Sequence, residues 1–310
     1  ISGKRFMIAY NVCREILFQL GEDIPETLSS DQRTSMIEAT IGMVKGISDK
    51  NLLEMKEMDE KLIIFMKFYI IITGAALMAK REMHPFFACR TVQLTMTRGL
   101  CESSIVGLAH FAICIGEHDI DGASRIGKAA MTCSKKRYHT SEQLPHLYLV
   151  YFAPYTEPLQ SCADMLRQGF DAGMSLGETG IAFFNALFHI PTAVAAGNRL
   201  PTLLEKVDYY LKLANTYQNE ITKTFLSINR ETISILIDNG GPSSPTPHAI
   251  DAPTDTESTM VLEALYYTRA LQAYWQGYSE RCQHYIGKLN LQHPHLSWRL
   301  HIITFIEGMN

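Results

Sequence analysis

The sequence lacks the cysteine patterns of disulfide-bonded and zinc-binding proteins. It has seven cysteines, an odd number, and no two of them form a C-x-x-C pair. No N-x-S/T glycosylation sequon occurs either. These absences argue against a disulfide framework and predict free, mostly buried thiols in a reducing compartment, which we expect to be the cytoplasm. The chain starts at Ile1 without a signal-peptide pattern, and we expect it to be a piece of a longer protein.

Charge is also scarce. Charged residues make up 19% of the chain, the net charge is −4, and there is no long run of one sign. The longest basic cluster is KKR at residues 135–137, which we interpret as a solvated helix end. Proteins that bind DNA or RNA lengthwise need a basic stripe. We therefore expect no nucleic-acid partner.

Long hydrophobic runs are absent except at residues 62–79, which read LIIFMKFYIIITGAALMA. This run has about the minimum length for a membrane-spanning helix. Lys67 lies inside it, and Thr73 and Gly74 weaken it. We favour a helix buried on most sides in an all-α protein over a spanning helix, so we expect no membrane association.

Residues 122–130 read GASRIGKAA and match the start of the phosphate-binding P-loop, G-x-x-x-x-G-K. Ala129 stands where the loop needs a Ser or Thr hydroxyl for magnesium, and the preceding ICI is too short for the required strand. We interpret the stretch as a helix whose small residues let another helix pack closely. We expect no nucleotide and no other cofactor.

Apolar residues recur at the 3.6-residue spacing of helices, with almost no period-2 alternation. The predicted helices lie near residues 5–20, 30–45, 48–55, 60–81, 85–98, 103–116, 120–136, 141–154, 157–176, 178–196, 201–217, 219–238, 256–276, 278–289 and 297–308. Most connections are short, which makes neighbouring helices antiparallel. Four prolines and two adjacent glycines in residues 239–256 predict a mobile loop.

The sequence therefore predicts an all-α fold of antiparallel helix hairpins. Its predicted parts are a helical repeat domain at 1–239, a flexible Pro/Gly/Ser-rich loop at 240–256, and C-terminal helices at 257–310 that continue the array.

A helix that ends in Gly-Glu and turns into another helix occurs three times, at Gly21, Gly116 and Gly177. Each glycine is predicted to close its helix in the left-handed conformation. The intervals of 95 and 61 residues equal roughly three and two units of about 32. Hairpin repeats near 34 residues have the tetratricopeptide length. We therefore expect a tetratricopeptide-like right-handed superhelix with degenerate repeats.

A family resemblance rests on three stretches: REILFQLGEDIP at 14–25, HPFFACRTVQLTMTRGLCESSIVGLAHFAICIGEHDIDGASRIGKAAM at 84–131, and YTEPLQSCADMLRQGFDAGMSLGETGIAFFNA at 155–186. Together they resemble the helical repeat segment of large signalling proteins. Those proteins join a serine/threonine kinase-like domain, an AAA-type ATPase module, this segment, a GAF sensor and a histidine kinase or cyclase. The resemblance implies a segment that lies between the enzymes and has no catalytic residues of its own.

Patterns for metal binding and catalysis are weak. No H-E-x-x-H occurs, and a zinc site from His284, His293 and His295 would need a fourth ligand such as Cys282 or Glu280. We interpret these histidines as polar loop residues. Ser175 lies in G-x-S-x-G, but its flanks are helix and turn instead of the strand and helix of a nucleophile elbow. We therefore predict no catalytic residue and no metal site.

Our first functional hypothesis is a non-enzymatic protein-interaction and signal-relay domain. In helix-pair arrays the first helices line the concave surface, and here these are residues 103–116, 157–176 and 256–276. Candidate contacts are His110, Arg167 and Tyr274, and the expected partner is a protein or peptide, above all the adjoining ATPase or kinase domains. Alternatively, His110 and Tyr274 are core residues and Arg167 faces solvent.

The second hypothesis is an all-α ligand-binding or catalytic domain with an interior pocket. It requires buried polar groups that converge in space, for which His110, His118 and tyrosines are the candidates.

Overall fold

The computed structural model describes residues 2–46, 48–116, 119–138, 153, 157–238 and 259–289. Within these residues the fold is all-α as predicted, and the extended backbone pairing is a single isolated bridge between Glu57 and Leu100. The chain divides into two compact units, Ile1–Tyr148 (unit 1) and Leu149–Asn310 (unit 2). This division falls inside the segment predicted as one repeat domain. The loop predicted at 240–256, the helix at 297–308 and most of the helix at 141–154 lie outside the described residues.

Unit 1 contains seven α-helices in its described part, together with a 3₁₀ turn at Arg81–Met83 and a π-helical turn at Ser134–Tyr138. The α-helices are α1 (Ser2–Gln19), α2 (Ser30–Val44), α3 (Asp49–Glu54), α4 (Glu60–Ala79), α5 (His84–Arg98), α6 (Glu102–Ile115) and α7 (Ile120–Cys133).

Unit 2 consists, in its described part, of helices that follow one another in pairs. They are α8 (Leu159–Ser175), α9 (Thr179–Ala195), α10 (Leu200–Thr216), α11 (Glu220–Ile237), α12 (Thr259–Trp275) and α13 (Ser279–Gly287). The predicted bounds of these helices agree with the observed bounds within three residues at each end, because apolar periodicity, proline starts and turn glycines are local signals.

Helix α4 organises unit 1. It packs against α1, α5 and α6, and its fully buried Met66, Tyr69 and Ile72 share a core cluster with Leu17 and Phe87. By length and composition alone, α4 also qualifies as a membrane-spanning helix. Its exposed side carries Lys67 between apolar residues.

A buried polar contact joins the first Gly-Glu turn to this core. The Glu22 carboxylate accepts hydrogen bonds from the Tyr69 hydroxyl and from Nε and Nη2 of Arg90, at 3.1 and 3.0 Å for the arginine. Burial raises the pKa of Glu22, but the bonds from Arg90 and Tyr69 outweigh it, so the pKa lies below its usual value. Glu22 therefore fixes the end of α1 to α4 and α5.

The P-loop-like stretch is helical, as predicted. Residues 122–130 lie within α7, which packs on α6, and the Asp119 carboxylate caps the helix by accepting from the Gly122 N–H at 2.8 Å. The prediction for Gly116 was wrong, because its φ of −61° is right-handed. The reason is that Gly116 continues the helical hydrogen bonding, because its N–H donates to the Ala112 carbonyl.

Four turns of unit 2 contain a residue in the left-handed conformation. Gly177, Gly197, Gln218 and Gly277 all have positive φ, between 53° and 78°, and each follows the end of a helix. At the last three of these turns, paired backbone bonds form the Schellman pattern, as in the bond from the Asn198 N–H to the Ala193 carbonyl. The predicted left-handed caps at Gly21 and Gly177 are confirmed, with φ of 92° and 78°.

The hairpins of unit 2 are longer than predicted. Helices α8 and α10 begin at Leu159 and Leu200, so one hairpin spans 41 residues instead of about 34, and α12 begins at Thr259, a further 59 residues along the chain. The 41-residue interval contains two helices of 17 residues, α8 and α9. Second helices α9 and α11 pack together, and first helices α8 and α10 meet through the rings of Phe170 and Tyr210.

Candidate functional site

The three predicted contact residues have different environments. His110 is buried, with 4% of its surface exposed, so it is a core histidine of unit 1 and not a groove contact. Tyr274 is partly buried against the cluster around Tyr267 and Leu271 in unit 2. Arg167 is half-exposed on α8, and its Nη1 lies 3.3 Å from Oδ2 of Asp171. Arg167 and Tyr274 therefore lie in separate clusters of unit 2.

Arg167 borders an aromatic surface that α8 and α10 build together. The Phe170 ring centroid lies 4.4 Å from that of Tyr210 and 6.3 Å from that of Tyr209. Phe170 and Tyr210 are buried, whereas 47% of Tyr209 is exposed. We call Arg167, Phe170, Lys206, Tyr209 and Tyr210 the first-helix surface, because α8 and α10 are the first helices of two hairpins.

Lys206 gives this surface its charge. Its Nζ lies 5.3 Å from the centroid of the Tyr209 ring and 5.7 Å from that of Tyr210, which are cation–π distances. Within the described part of the chain Lys206 forms no ion pair. The charge of Arg167, in contrast, is balanced by Asp171. Among the five residues of this surface, Lys206 therefore has the one charge that forms no ion pair.

A buried pair lies beneath the surface. Nδ1 of His189, on α9, is 3.1 Å from the Tyr210 hydroxyl. Burial, together with the nearby positive charges of Lys206 and Arg167, lowers the pKa of His189 to about 4. Burial also raises the pKa of Tyr210. Both groups are therefore neutral at pH 7, and this pair adds no charge to the surface above it.

Unit 1 has its own buried histidine pair. Nε2 of His84 lies 3.1 Å from Nδ1 of His110, and Nδ1 of His84 lies 3.5 Å from the Cys114 sulfur. Burial, together with the charges of His110 and Arg81, lowers the pKa of His84 well below its usual value. An imidazole with so low a pKa is a weak base and accepts the Cys114 proton poorly, so this arrangement does not favour a nucleophilic thiolate.

These three side chains also do not form a chelate. His84 faces its two neighbours with opposite ring nitrogens, so the donor atoms are arranged in a row and do not converge. Across the described residues, no group of three or more His, Cys, Asp or Glu side chains is placed to hold a metal ion. All seven cysteines are free and six are buried, which confirms the prediction of unpaired, mostly buried thiols. His118, His293 and His295 lie outside the described residues.

A small cavity lies between α9, α11 and α12 in unit 2, with a volume of about 20 Å³. Pro191, Asn229, Thr232, Thr268 and Trp275 are among its lining residues. The Thr232 hydroxyl is buried and has no hydrogen-bond partner in the protein. A cavity of this size has room for about one water molecule, whereas small-molecule sites enclose roughly 300–1,000 Å³.

The sequence analysis missed Lys206 and Tyr209. Both belong to a stripe on α10 at helical spacing, in which Tyr209 and Tyr217 are each about half exposed, at 47% and 49%. The burial of Leu203, Val207 and Tyr210 and the exposure of Tyr209 are visible only in the folded chain, so the sequence offered no direct signal for this surface.

A comparison of the chain with protein-family models, with curated proteins and with solved structures found no match. The resemblance to the repeat segment of large signalling proteins therefore stays a prediction.

Proposed function

We propose that the chain is a non-enzymatic protein-interaction and signal-relay domain of a larger cytoplasmic ATPase/kinase signalling protein. In this proposal its helix hairpins form a tetratricopeptide-like right-handed superhelix, and its first helices bind a protein partner. The adjoining ATPase or kinase domains are the proposed partners, because the resembled family places them next to such a segment.

The regularity of unit 2 supports the proposed repeat array. Second helices α9 and α11 pack on each other, and first helices α8 and α10 meet at Phe170 and Tyr210. Successive hairpins that stack in this way present their first helices side by side. The 41-residue interval is within the range of helical repeats in general, although it exceeds the tetratricopeptide length.

The observation that carries the proposed function is the first-helix surface. Tyr209 leaves 47% of its surface exposed, and Lys206 lies over its ring without a counterion. Neither residue is needed to fill the core. Exposed tyrosines beside a cation are typical of residues that dominate the energy of protein interfaces.

The experiment is capture of the adjoining ATPase and kinase domains by the immobilised chain. We expect Arg167→Ala and Tyr274→Ala to weaken capture about five- to thirtyfold, the effect of losing roughly 1–2 kcal/mol at an interface. Arg199→Ala is the matched control, because Arg199 is exposed at the start of α10 and its side chain makes no capping bond.

Thermal melts identify variants that have lost their fold. Undiminished capture by both folded variants would remove Arg167 and Tyr274 from the binding surface. Failure of the unmodified chain to capture either domain would overturn the proposed partners.

The alternative, an all-α ligand-binding or catalytic domain with an interior pocket, has one supporting observation. The unpartnered Thr232 hydroxyl lines the cavity between α9, α11 and α12. The cavity would have to expand more than tenfold to enclose a typical small-molecule ligand. Helical regularity and the exposed first-helix surface therefore favour the interaction domain.

A further inference from the structure

We infer that the first-helix surface binds an acidic peptide segment, with a peptide carboxylate on Lys206 and an apolar peptide side chain on Tyr209. This inference rests on the proposed function and names the chemistry of the partner. It is carried by the charge and exposure of α8 and α10.

The charge argument begins with Lys206. Its ammonium group lies over the rings of Tyr209 and Tyr210 and has no ion pair in the described part of the chain. The neighbouring Arg167 holds Asp171 at 3.3 Å, but both side chains are at least 40% exposed. An exposed pair of this kind contributes little stability, so Arg167 exchanges Asp171 for another carboxylate at small cost. Both cations are thus available to one acidic ligand.

The floor of the surface makes such a contact favourable. Phe170 and Tyr210 are buried, and the Tyr210 hydroxyl is held by His189 at 3.1 Å. The aromatic floor is therefore rigid before a partner binds, which reduces the entropy lost on binding. An apolar side chain on Tyr209 would cover the ring and keep water from the Lys206–carboxylate pair, which strengthens that pair.

A peptide fits this surface better than a nucleic acid. One uncompensated cation satisfies one or two carboxylates, whereas nucleic-acid binding gains its affinity from many phosphate contacts. Specificity here depends on one charge next to one aromatic ring.

The test uses fluorescence anisotropy of the full chain with a labelled peptide of about ten residues made of Glu, Phe and Gly. Two further peptides replace every Glu with Gln or with Lys. We expect binding of the Glu peptide only. Lys206→Ala should weaken it about fivefold, as for a lost ion pair, and Tyr209→Ala about tenfold, as for a lost aromatic anchor.

Lys212→Ala is the matched control, because Lys212 is exposed on the same helix but, among the described contacts, makes none of the cation–π contacts with Tyr209 and Tyr210 that Lys206 makes. It should change affinity by less than about twofold. Lys206→Arg, which keeps the charge, should retain most of the binding. Thermal melts show whether Tyr209→Ala keeps its fold. If it does not, the affinity of Lys206→Ala for the Glu peptide tests the inference.

Three results would overturn the inference: equal binding of the Glu and Gln peptides, equal losses for Lys206→Ala and Lys212→Ala, or no binding of the Glu peptide. Equal, Lys206-dependent binding of single-stranded DNA of the same charge would assign the surface to polyanions and also overturn it. Capture of the adjoining domains is a separate readout. If capture depends on the first-helix surface while the peptide fails, the proposed function stands and this inference falls.

Discussion

The two units use helices in different ways. Unit 1 surrounds one apolar helix, α4, with helices whose lengths range from 6 to 18 residues. Unit 2 contains helices of 17 or 18 residues from α8 to α12. A left-handed residue follows α8, α9, α10 and α12, and left-handed glycines also follow α1, α2 and α5 in unit 1. The units therefore differ in the uniformity of their helix lengths and not in the conformation of their turns.

The buried histidines show a second difference. In unit 1, His84 lies within hydrogen-bond distance of another histidine, His110, and of the Cys114 sulfur. In unit 2, His189 bonds to Tyr210 below the half-exposed Tyr209 and Lys206. Both imidazoles are neutral for reasons of burial, but only the second supports an exposed surface. A buried histidine therefore does not by itself mark a site.

The largest expected effect comes from removing the aromatic hub of unit 2. Phe170 contacts Phe183, Tyr209 and Tyr210. We expect Phe170→Ala to lower the free energy of unfolding by about 3–5 kcal/mol, because it leaves a cavity between α8 and α10. Hydrogen exchange should show the loss of protection in unit 2.

The matched variant in unit 1 is Phe87→Ala, since Phe87 is fully buried and contacts Tyr10 and Tyr69. It should remove protection around α4 and α5. If either variant lowers protection equally in both units, the division into two compact units does not describe their stability.

Low pH should lower the stability of the folded chain at both buried histidines, His189 and His84. The pKa of His189 is lowered to about 4 in the folded chain, below its unfolded value near 6.5. A lowered histidine pKa means that the unfolded chain binds the proton first. Stability is therefore full above pH 6.5 and is lost as the pH falls towards 4, by about 2–3 kcal/mol for this group.

Urea titrations of the protein and of His189→Gln between pH 7 and about pH 4 measure this effect. The variant should be less stable at pH 7 but lose less stability on acidification. His84→Gln should behave in the same way in unit 1, because the pKa of His84 is also lowered by burial. If stability depends on pH in the same way for the variant and the unmodified protein, these imidazoles are not held neutral by burial.

Glycine substitutions separate backbone strain from steric contact. Gly99 has a φ of 114°, and an added Cβ would lie 2.7 Å from the Lys56 carbonyl oxygen. Gly177 has a φ of 78° with open space around it. We expect Gly99→Ala to cost about 2–3 kcal/mol and Gly177→Ala about 1 kcal/mol.

Denaturant midpoints for the two variants compare these costs directly. Equal losses would mean that the backbone at Lys56 moves aside and that strain alone determines the cost of both changes.

The smallest expected effect is a gain in stability. Gln218 is the one non-glycine residue with positive φ in the described chain, at 53°. Gln218→Gly should relieve the strain of the left-handed conformation but also raise the conformational entropy of the unfolded chain. The expected net gain in the free energy of unfolding is about 0.5 kcal/mol. The reverse change, Gly197→Gln, should destabilise the equivalent turn. A loss on Gln218→Gly would show that the glutamine side chain stabilises the turn.

Local signals in the sequence predicted most of the fold. Helix bounds and the left-handed caps at Gly21 and Gly177 followed from apolar spacing and glycine chemistry. The prediction for Gly116 was wrong, because Gly116 keeps the right-handed helical conformation and its N–H donates to the Ala112 carbonyl. Gln218 was missed, because nothing in a glutamine predicts a positive φ.

The site was harder to predict than the fold. Arg167 is half-exposed and its role as a partner contact stays a prediction, whereas His110 is buried against His84. Lys206 and Tyr209 form a surface only where α8 contacts α10, two helices that begin some 40 residues apart in the chain. Helix periodicity says which face is apolar, but not which faces of two helices converge.

The most direct test of the account exchanges charges across the proposed interface. Calorimetry compares the protein and Lys206→Glu, each with the Glu-containing peptide and with its Lys-containing counterpart. If the first-helix surface binds acidic segments, Lys206→Glu should lose at least about tenfold in affinity for the Glu peptide and gain affinity for the Lys peptide. Unchanged affinities for both peptides in the folded Lys206→Glu variant would contradict the assignment of this surface as the binding site.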